Sequence, residues 1–411
     1  MTYSDMAIHG TTQPNFELVR DVFEDNFSNG SEVGAACAVV VDNELVVDLW
    51  GGDAEPRSGR AWEQDTIVNV FSTTKGVASM AMLHAASHGL FDFDDTVAYH
   101  WPEFASAGKG DITIRQLLAH QAGLSAIDMK ITPAMLADPE RLSIALAKQA
   151  PAWKPGTRHG YHGISLGWYE SEIIRRTDPQ ARTIGQYFHD EIAVPLDLDF
   201  WIGLPDDIPA IRIARLQADW YRVRMVANIS KQPSDFVKGF LNPKSLVART
   251  FANPAMLGKP ARYNEPAMRR LELPASNGHG TARAIATAYG EFAAGGERLG
   301  ITPEVLADVS NAADDPLEGR ADLVLCTDTR FSLGYCKPWP GFEFGSPKAF
   351  GTPGAGGSFG FADPEHKLGF AYVMNGMDYY QVDDPREHAL REAVQLCLAA
   401  RTPQAPRPRA A

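Results

Sequence analysis

The stretch VNVFSTTKGVASMAMLHAA, residues 68–86, joins a short apolar run to a long apolar segment through Ser72-Thr-Thr-Lys75. From Gly76 to Ala86 the residues are apolar on nearly every side of a helical projection, as in a fully buried helix, and Gly89 is placed to end it. The pattern predicts that Ser72 stands at the N-terminus of a buried helix. Lys75 then lies one turn later on the same face.

This pairing of serine and lysine has a definite chemistry. A serine hydroxyl is a weak nucleophile and needs a base. Burial beside a helix N-terminus lowers the pKa of a lysine, so Lys75 can be neutral and accept a proton from Ser72. The free amides of the helix N-terminus can also bind a developing oxyanion. A bare S-x-x-K more often marks a capping serine with a solvated lysine, but the apolar helix weighs against this alternative, because an unpaired buried charge is costly.

Composition argues against several classes of function. The 411 residues are 45% hydrophobic and 22% charged, as in ordinary soluble proteins, and the formal net charge is −13. An acidic surface repels phosphate backbones and anionic lipid headgroups, so we expect neither nucleic-acid nor membrane partners. The sequence has no apolar window of about eighteen residues, no signal-peptide pattern at its start and no Cys-x-x-Cys pair. These features predict a cytoplasmic protein.

Local patterns divide the chain into outer and inner parts. Helical spacing of apolar residues begins at Asn15, and two strand-like runs flank Asp42-Asn43, which is a hairpin signal. From about residue 75 to 285 the pattern is mostly helical. Strand-like residues return at 368–374, and Asp384-Pro385 has the composition of a helix start. Strands near the two ends of the chain should therefore pair with each other in one sheet.

Four ordered motifs carry a family resemblance: FSTTKG (71–76), ITIRQLLAHQAGL (112–124), WKPGTRHGYH (153–162) and GAGGSFGFADPE (354–365). Together they resemble the serine β-lactamase and penicillin-binding superfamily, and in particular the class C-like branch that includes family VIII carboxylesterases. The resemblance spans roughly residues 15–400. It implies a mixed α/β fold of the α+β type, with an antiparallel sheet flanked by helices and an inserted helical lobe.

On this reading residues 1–400 form one catalytic domain. We predict an α/β lobe from about residues 15–70 and 285–400, a helical lobe from about 75–285, and a flexible tail over 401–411.

The resemblance also implies roles for single residues. Ser72 would carry the acyl group, and Tyr161, which matches the Tyr of the family's Y-x-N motif, would share the base role with Lys75. The backbone amides of Ser72 and Ala355 would form the oxyanion hole. The remaining implied residues would bind substrate: His162, Thr352, Gly354 and Gly356. No metal and no other cofactor is implied.

Two positions depart from the family pattern. Gly163 stands where Y-x-N has its Asn, and Thr352 stands where the third motif has a basic residue. In relatives that cleave β-lactams, the resemblance assigns these side chains to the amide and the carboxylate of the substrate. A small neutral ester needs neither group. His162 could replace the missing Asn, or it could instead bond to a backbone carbonyl.

We therefore predict a serine hydrolase that cleaves small carboxylic esters through an acyl-enzyme. An amidase, a D-peptidase, a β-lactamase or an acyltransferase on the same machinery remains an alternative, as does a ligand-binding protein without catalysis. The oligomeric state is left open.

Ser165 lies in GISLG (163–167), the G-x-S-x-G pattern of an α/β-hydrolase nucleophile. The residues before it, 151–162, contain two prolines and two glycines and cannot form the required buried strand. We predict instead that Ser165 caps the helix that follows.

Two other groups of residues have more than one interpretation. His84 and His88 have the spacing of a zinc pair, but they lack an intervening Glu and a nearby third ligand, so we expect a helix flank. Aromatic residues of the helical lobe could line an acyl pocket or fill the core: Trp220, Tyr221, Phe236, Phe240 and Phe251.

Overall fold

The computed structural model describes residues 7–218, 224 and 229–400. The strands in this part of the chain are β1 (Ile8–Thr12), β2 (Gly34–Val41), β3 (Glu44–Glu55), β4 (Arg60–Ala61), β5 (Val68–Asn69), β6 (Phe200–Ile202), β7 (Gly278–Gly280), β8 (Phe350–Pro353), β9 (Phe359–Asp363) and β10 (Leu368–Met374). The predicted tail, 401–411, and the aromatic residues Trp220 and Tyr221 lie outside the described residues.

Helices occupy much of the remaining described chain. The α-helices are α1 (Glu17–Ser28), α2 (Thr73–Ser87), α3 (Val97–His100), α4 (Ile114–Leu118), α5 (Pro133–Leu136), α6 (Pro139–Lys148), α7 (Ser165–Thr177), α8 (Ile184–Phe188), α9 (Val194–Leu196), α10 (Ser234–Leu241), α11 (Leu246–Phe251), α12 (Pro266–Arg269), α13 (Ala282–Ala293), α14 (Pro303–Ser310) and α15 (Pro385–Ala400). None of the helices in the described ranges has the length and apolar character that a bilayer span requires.

The first hairpin forms at the predicted turn. Asp42 and Asn43 have φ of +53° and +62°, the two left-handed residues of a tight turn whose twist matches that of the flanking strands. β2 and β3 pair antiparallel on either side of it. β3 runs through Gly51-Gly52 to Glu55 and pairs with β4.

The large sheet is antiparallel and has the order β1-β3-β2-β10-β9-β8, and β4 pairs with the C-terminal end of β3. β2 and β10 are central neighbours, with Ala38 opposite Ala371. Strands from the two ends of the chain therefore pair with each other, as the sequence predicts. The antiparallel sheet and its helices confirm the predicted fold class. The lobe boundaries near residues 70 and 285 stay predictions.

Both faces of the central strands are buried, because helices cover each face. Along β2, Ala36, Ala38 and Val40 face the core that contains α2 and α13, and the alternate residues Ala35, Cys37 and Val39 face the core that contains α1 and α15. This explains why β2 and β10 are apolar at almost every position rather than at every second one.

A second, small sheet has the order β5-β7-β6, and its strands β6 and β7 lie within the region whose sequence pattern is mostly helical. β5 pairs with β7 through Val68 and Gly280. The chain then enters α2, in which every residue from Thr73 to Ala85 is buried. The buried helix predicted after Ser72 is confirmed.

Candidate active site

Ser72 is the N-cap residue of α2, but its side chain does not cap the helix. Its backbone is helical, with φ of −66° and ψ of −13°, and its hydroxyl makes no capping hydrogen bond. The residue before it, Phe71, has φ of +44°, a left-handed conformation that a bulky side chain rarely adopts. Strain of this kind is typical of functional sites. The Ser72 hydroxyl is therefore available to groups other than its own helix.

Lys75 is the first of these groups. Its Nζ lies 3.0 Å from Ser72 Oγ and donates a 2.9 Å hydrogen bond to the carbonyl of Ala275. The side chain is fully buried. Ser72 does not cap the helix and Lys75 is not solvated, so the alternative of a capping serine beside a solvated lysine is wrong.

Burial sets the charge of Lys75. Desolvation lowers its pKa from 10.5 to about 7, against the opposing effect of the Glu170 carboxylate. Glu170 lies on α7 and accepts a 2.8 Å hydrogen bond from Ser79 on α2. Desolvation also raises the pKa of Glu170 to about 7. A substantial fraction of Lys75 is thus neutral near neutral pH and able to accept a proton.

Tyr161 is the second group beside Ser72. The two hydroxyls share a hydrogen bond, and Lys75 Nζ lies 4.8 Å from the centroid of the Tyr161 ring. Burial raises the pKa of Tyr161 above its usual value, which keeps the phenol protonated. Ser72, Lys75 and Tyr161 are thus brought together, as the sequence predicts for their positions.

A buried polar network supports the loop that carries Tyr161. Both carboxylate oxygens of Asp322 accept from the Tyr161 backbone amide, at 3.2 and 3.0 Å. The next amide, of His162, donates to His120 Nδ1 at 3.0 Å, and the His120 ring lies against the Tyr161 ring with 5.2 Å between centroids. Burial, reinforced by neighbouring cationic groups, holds the pKa of His120 well below its usual range, so this imidazole is neutral.

His162 itself points away from Ser72. Its Nδ1 bonds to the Gly160 carbonyl at 2.8 Å, and its Nε2 accepts from the Leu124 amide at 3.0 Å. It is fully buried and does not line the cavity beside Ser72. Of the two interpretations of His162, the structure shows the backbone-bonded one.

The turn between β8 and β9 approaches the N-terminus of α2. Ala355 in this turn is exposed to the same cavity as Ser72. Among the described residues no backbone acceptor is bonded to the amide of either Ala355 or Ser72. Ser358 Oγ, at the end of the turn, donates to the Val70 carbonyl at 2.8 Å and so fixes the turn to the chain just before Ser72.

Gly354 and Gly356 have different positions in this turn. A Cβ at Gly354 would lie 2.3 Å from both Val70 O and Ser358 Oγ, so Gly354 permits close approach of the two backbones rather than contact with a ligand. Gly356, with φ of +94°, lines the cavity. Thr352, on β8, is buried and faces α2 and Tyr289, and it does not line the cavity.

The cavity beside Ser72 measures about 220 Å³, and its walls are mainly apolar and aromatic. Phe236, Phe240 and Phe251 line it, which decides the two interpretations of these aromatic residues in favour of a pocket wall. Within the part of the chain that the structure describes, the wall contains no Lys, Arg or His side chain. Among the described wall residues the one charged side chain is that of Asp378, which pairs with Arg224 at 3.1 Å.

Ser165 is far from the role that its motif suggests. It is the first residue of α7, its side chain is buried, and Oγ donates to the Leu124 carbonyl at 2.7 Å. Ile164 occupies the cap position, so the prediction that Ser165 caps this helix is wrong. The nearby Leu124 carbonyl takes the hydroxyl that would otherwise have bonded to the helix amides.

His84 and His88 stack on α2 with 4.0 Å between ring centroids, and His84 Nδ1 bonds to the Tyr187 hydroxyl at 2.9 Å. Among the described residues no group of three or more potential metal ligands is present.

Sequence reasoning missed Glu170, Asp322 and His120. For Glu170 a signal exists, since it lies three and four residues before Ile173 and Ile174 and so shares their apolar helix face. Asp322 and His120 lie in loops, where no periodic pattern marks a buried polar side chain.

Comparisons with known proteins identify the family of this chain. The sequence matches the beta-lactamase family over residues 19–395. It is 31% identical over 373 residues to the esterase/beta-lactamase LipL of Mycobacterium tuberculosis, covering 90% of this chain and 83% of LipL. Two crystal structures, of a family VIII carboxylesterase and of a penicillin-binding protein homologue from Caulobacter crescentus, superpose with TM-scores of 0.84 and 0.82. Each is 36% identical to this chain and covers 95% of it, over the full length of the solved chain. The chain therefore belongs to the beta-lactamase family.

Proposed function

We propose that this chain is a serine hydrolase that cleaves small carboxylic esters through an acyl-enzyme on Ser72. The observation that carries the proposal is the 3.0 Å contact between a fully buried Lys75 and Ser72 Oγ at the wall of an apolar cavity. The similarity to a family VIII carboxylesterase supports an ester as the substrate, and LipL is named as both an esterase and a beta-lactamase.

In the first half of the reaction, neutral Lys75 accepts the Ser72 proton as Oγ forms a bond to the ester carbonyl carbon. The charge that develops on the carbonyl oxygen is placed between the amides of Ser72 and Ala355. When the carbon–oxygen bond to the alcohol breaks, the Lys75–Tyr161 pair delivers the proton to the leaving alkoxide. The products of this half are the free alcohol and an acyl group on Ser72.

In the second half, a water molecule replaces the alcohol. The same pair accepts a proton from the water as its oxygen attacks the acyl carbonyl, and the proton then returns to Ser72 Oγ. The carboxylic acid leaves, and the starting protonation states are restored. Burial keeps the Tyr161 phenol protonated and lowers the pKa of Lys75 to about 7, so the Lys75 amine can accept and release a proton near neutral pH.

The cavity favours an ester over a β-lactam. A β-lactam carries a carboxylate, and among the described residues the cavity wall has no Lys, Arg or His side chain to bind it. Two cations near the motifs are engaged elsewhere, since Arg158 bonds to Glu318 at 2.6 Å and Lys348 bonds to Asn311 at 2.7 Å. A neutral ester requires only the apolar wall and the two amides.

The test is to compare Ser72→Ala with Ser165→Ala. Ester hydrolysis is measured with p-nitrophenyl butyrate, and covalent labelling by a serine-directed phosphonate is measured by intact mass. We expect Ser72→Ala to lose both ester hydrolysis and phosphonate labelling. Ser165→Ala should keep substantial ester turnover and one phosphonate label per chain. Full turnover by Ser72→Ala would overturn the proposal.

A further inference from the structure

The position that lacks the family's Asn is filled by another part of the chain. A Cβ built on Gly163 would lie 2.5 Å from Cε1 and 3.1 Å from Cδ1 of Phe251, and 3.0 Å from the Thr250 methyl. A carbon atom at 2.5 Å is far inside van der Waals contact. The Phe251 ring therefore occupies the space that any side chain at residue 163 would need.

Both residues of this pair face the candidate site. Along the loop, Tyr161 and Gly163 line the cavity, whereas His162 between them points into the protein. Phe251 lines the same cavity as Ser72. Residue 163 thus stands two positions from Tyr161 on the cavity side, and the ring packed against it forms part of the wall beside the reacting atoms.

The chain just after Phe251 is held in place. Asn253 lies two residues after Phe251. Its side-chain amide donates to the carbonyls of Ile127 and Met129 at 2.7 and 2.8 Å, and its Oδ1 accepts from the Ile131 amide at 2.9 Å. These three hydrogen bonds fix the end of α11 to the 127–131 loop. A new group at Gly163 would therefore have to displace the Phe251 ring rather than the backbone that carries it.

We propose that Gly163 and Phe251 act as a coupled pair that determines the acyl-group specificity of this site. The proposal rests on the proposed esterase function. The pair replaces a polar side chain with an aromatic surface, so the site accepts esters with an apolar acyl group and provides no amide partner at this point. The size of residue 163 and the size of residue 251 cannot change independently, because both fill one volume of the wall.

The test is a double-mutant cycle on the full chain. Gly163→Ala adds only the Cβ, and we expect it to push the Phe251 ring into the cavity and to lower kcat/KM for p-nitrophenyl butyrate by about tenfold. Phe251→Ala should relieve this loss, so that Gly163→Ala costs less than about threefold in the Phe251→Ala background. Phe251→Ala alone should raise the ratio of octanoate to butyrate turnover, because it lengthens the pocket.

The matched control is Phe240→Ala. Phe240 is a wall residue of the same type, and its ring stacks on Phe236 rather than against Gly163. Gly163→Ala should cost as much in the Phe240→Ala background as in the unmodified chain. Thermal unfolding of each variant shows whether it is folded, and the octanoate-to-butyrate ratio of Phe251→Ala remains informative if Gly163→Ala folds poorly.

The outcomes separate the two proposals. Equal losses from Gly163→Ala in all three backgrounds, or an unchanged chain-length ratio in Phe251→Ala, would overturn the coupling while leaving the esterase function intact. If the unmodified chain neither hydrolyses the esters nor reacts with the phosphonate at Ser72, both proposals are overturned. Relief by Phe251→Ala without relief by Phe240→Ala supports the pair.

Discussion

The guanidinium of Arg386 donates a 2.7 Å hydrogen bond from Nη2 to the carbonyl of Gly356, the residue after the candidate oxyanion amide of Ala355. A second bond of 2.7 Å reaches the carbonyl of Gly376. Arg386 lies at the start of α15 and is only 3% exposed. A buried cation on the last helix therefore holds the turn that presents Ala355 to the cavity.

The charge of Arg386 is balanced within the protein. Asp384 lies 2.8 Å from its Nη2, and Glu32 lies 3.4 Å from its Nη1. Desolvation raises the pKa of Glu32 to about 7, against the opposing effect of Arg386. Removing one partner of such a buried group leaves the other charges without compensation, which typically costs about 3–5 kcal/mol.

We therefore predict that Arg386→Lys lowers kcat for ester hydrolysis by about ten- to a hundredfold, because a lysine cannot reach both carbonyls and both carboxylates. KM should change much less, since the apolar wall is untouched. The control is Arg391→Lys, which alters another buried arginine of α15 that pairs with Glu387 and Asp383. This control should lower the unfolding temperature while leaving kcat within about threefold of the unmodified chain. Equal effects of the two substitutions on kcat would contradict a positioning role for Arg386.

A second prediction concerns the dependence of activity on pH. Lys75 must be neutral to accept the Ser72 proton, and its pKa is about 7, so kcat/KM should rise with pH and level off above pH 8. Glu170→Gln tests whether Lys75 is the group whose titration causes this rise in kcat/KM, because the Glu170 carboxylate raises the pKa of Lys75. In this variant the midpoint should move to lower pH. Loss of the rising limb in Glu170→Gln would instead assign the titration to Glu170.

The local part of the site could be predicted from sequence, and the long-range part could not. Ser72 and Lys75 belong to one helix, so their spacing and the apolar residues after them are enough to place them together. Tyr161 can be located only through the family resemblance, since its loop has no regular period. The contact of Gly163 with Phe251 joins two segments that no local pattern relates. Ser165 shows the converse case, in which a local rule predicts a cap and a carbonyl from a distant loop takes the hydroxyl.

The fold was easier to predict than the site. Two-sided burial of β2 and β10 leaves near-continuous apolar runs, and the Asp42-Asn43 turn fixes the register of the first hairpin. β6 and β7 were missed because each has only three residues and lies among helices. Strands this short have no usable alternation of apolar and polar residues.

A third prediction links the buried lysine to stability. Folding lowers the pKa of Lys75 from 10.5 to about 7, so between these values the unfolded chain binds more protons than the folded one. The cost of burying the charge is complete below pH 7 and disappears as the pH rises toward 10.5. Lys75→Met should therefore gain stability relative to the unmodified chain at pH 6.5 and gain less at pH 9.5. Urea unfolding at the two pH values measures the difference, and a gain that grows with pH would contradict the pKa shift.

The last prediction sets an ester against a β-lactam on one preparation. The described cavity wall has no cation for a carboxylate, and Gly163 supplies no amide partner. Losing a hydrogen bond to a charged group costs roughly 1.5–3 kcal/mol, which is about tenfold or more in kcat/KM. We therefore expect p-nitrophenyl butyrate to be hydrolysed at least about tenfold more efficiently than nitrocefin.

The cause of that difference can be tested with the substrate rather than the protein. A β-lactam whose carboxylate is converted to a methyl ester no longer needs a cation. If the lack of a cation in the apolar wall makes β-lactams poor substrates, this neutral β-lactam should acylate Ser72 faster than the free acid does. Intact mass measures the rate of acylation. Equal efficiencies for nitrocefin and p-nitrophenyl butyrate, or faster acylation by the free acid, would show that a cation serves the site. The preference for esters would then have to be withdrawn.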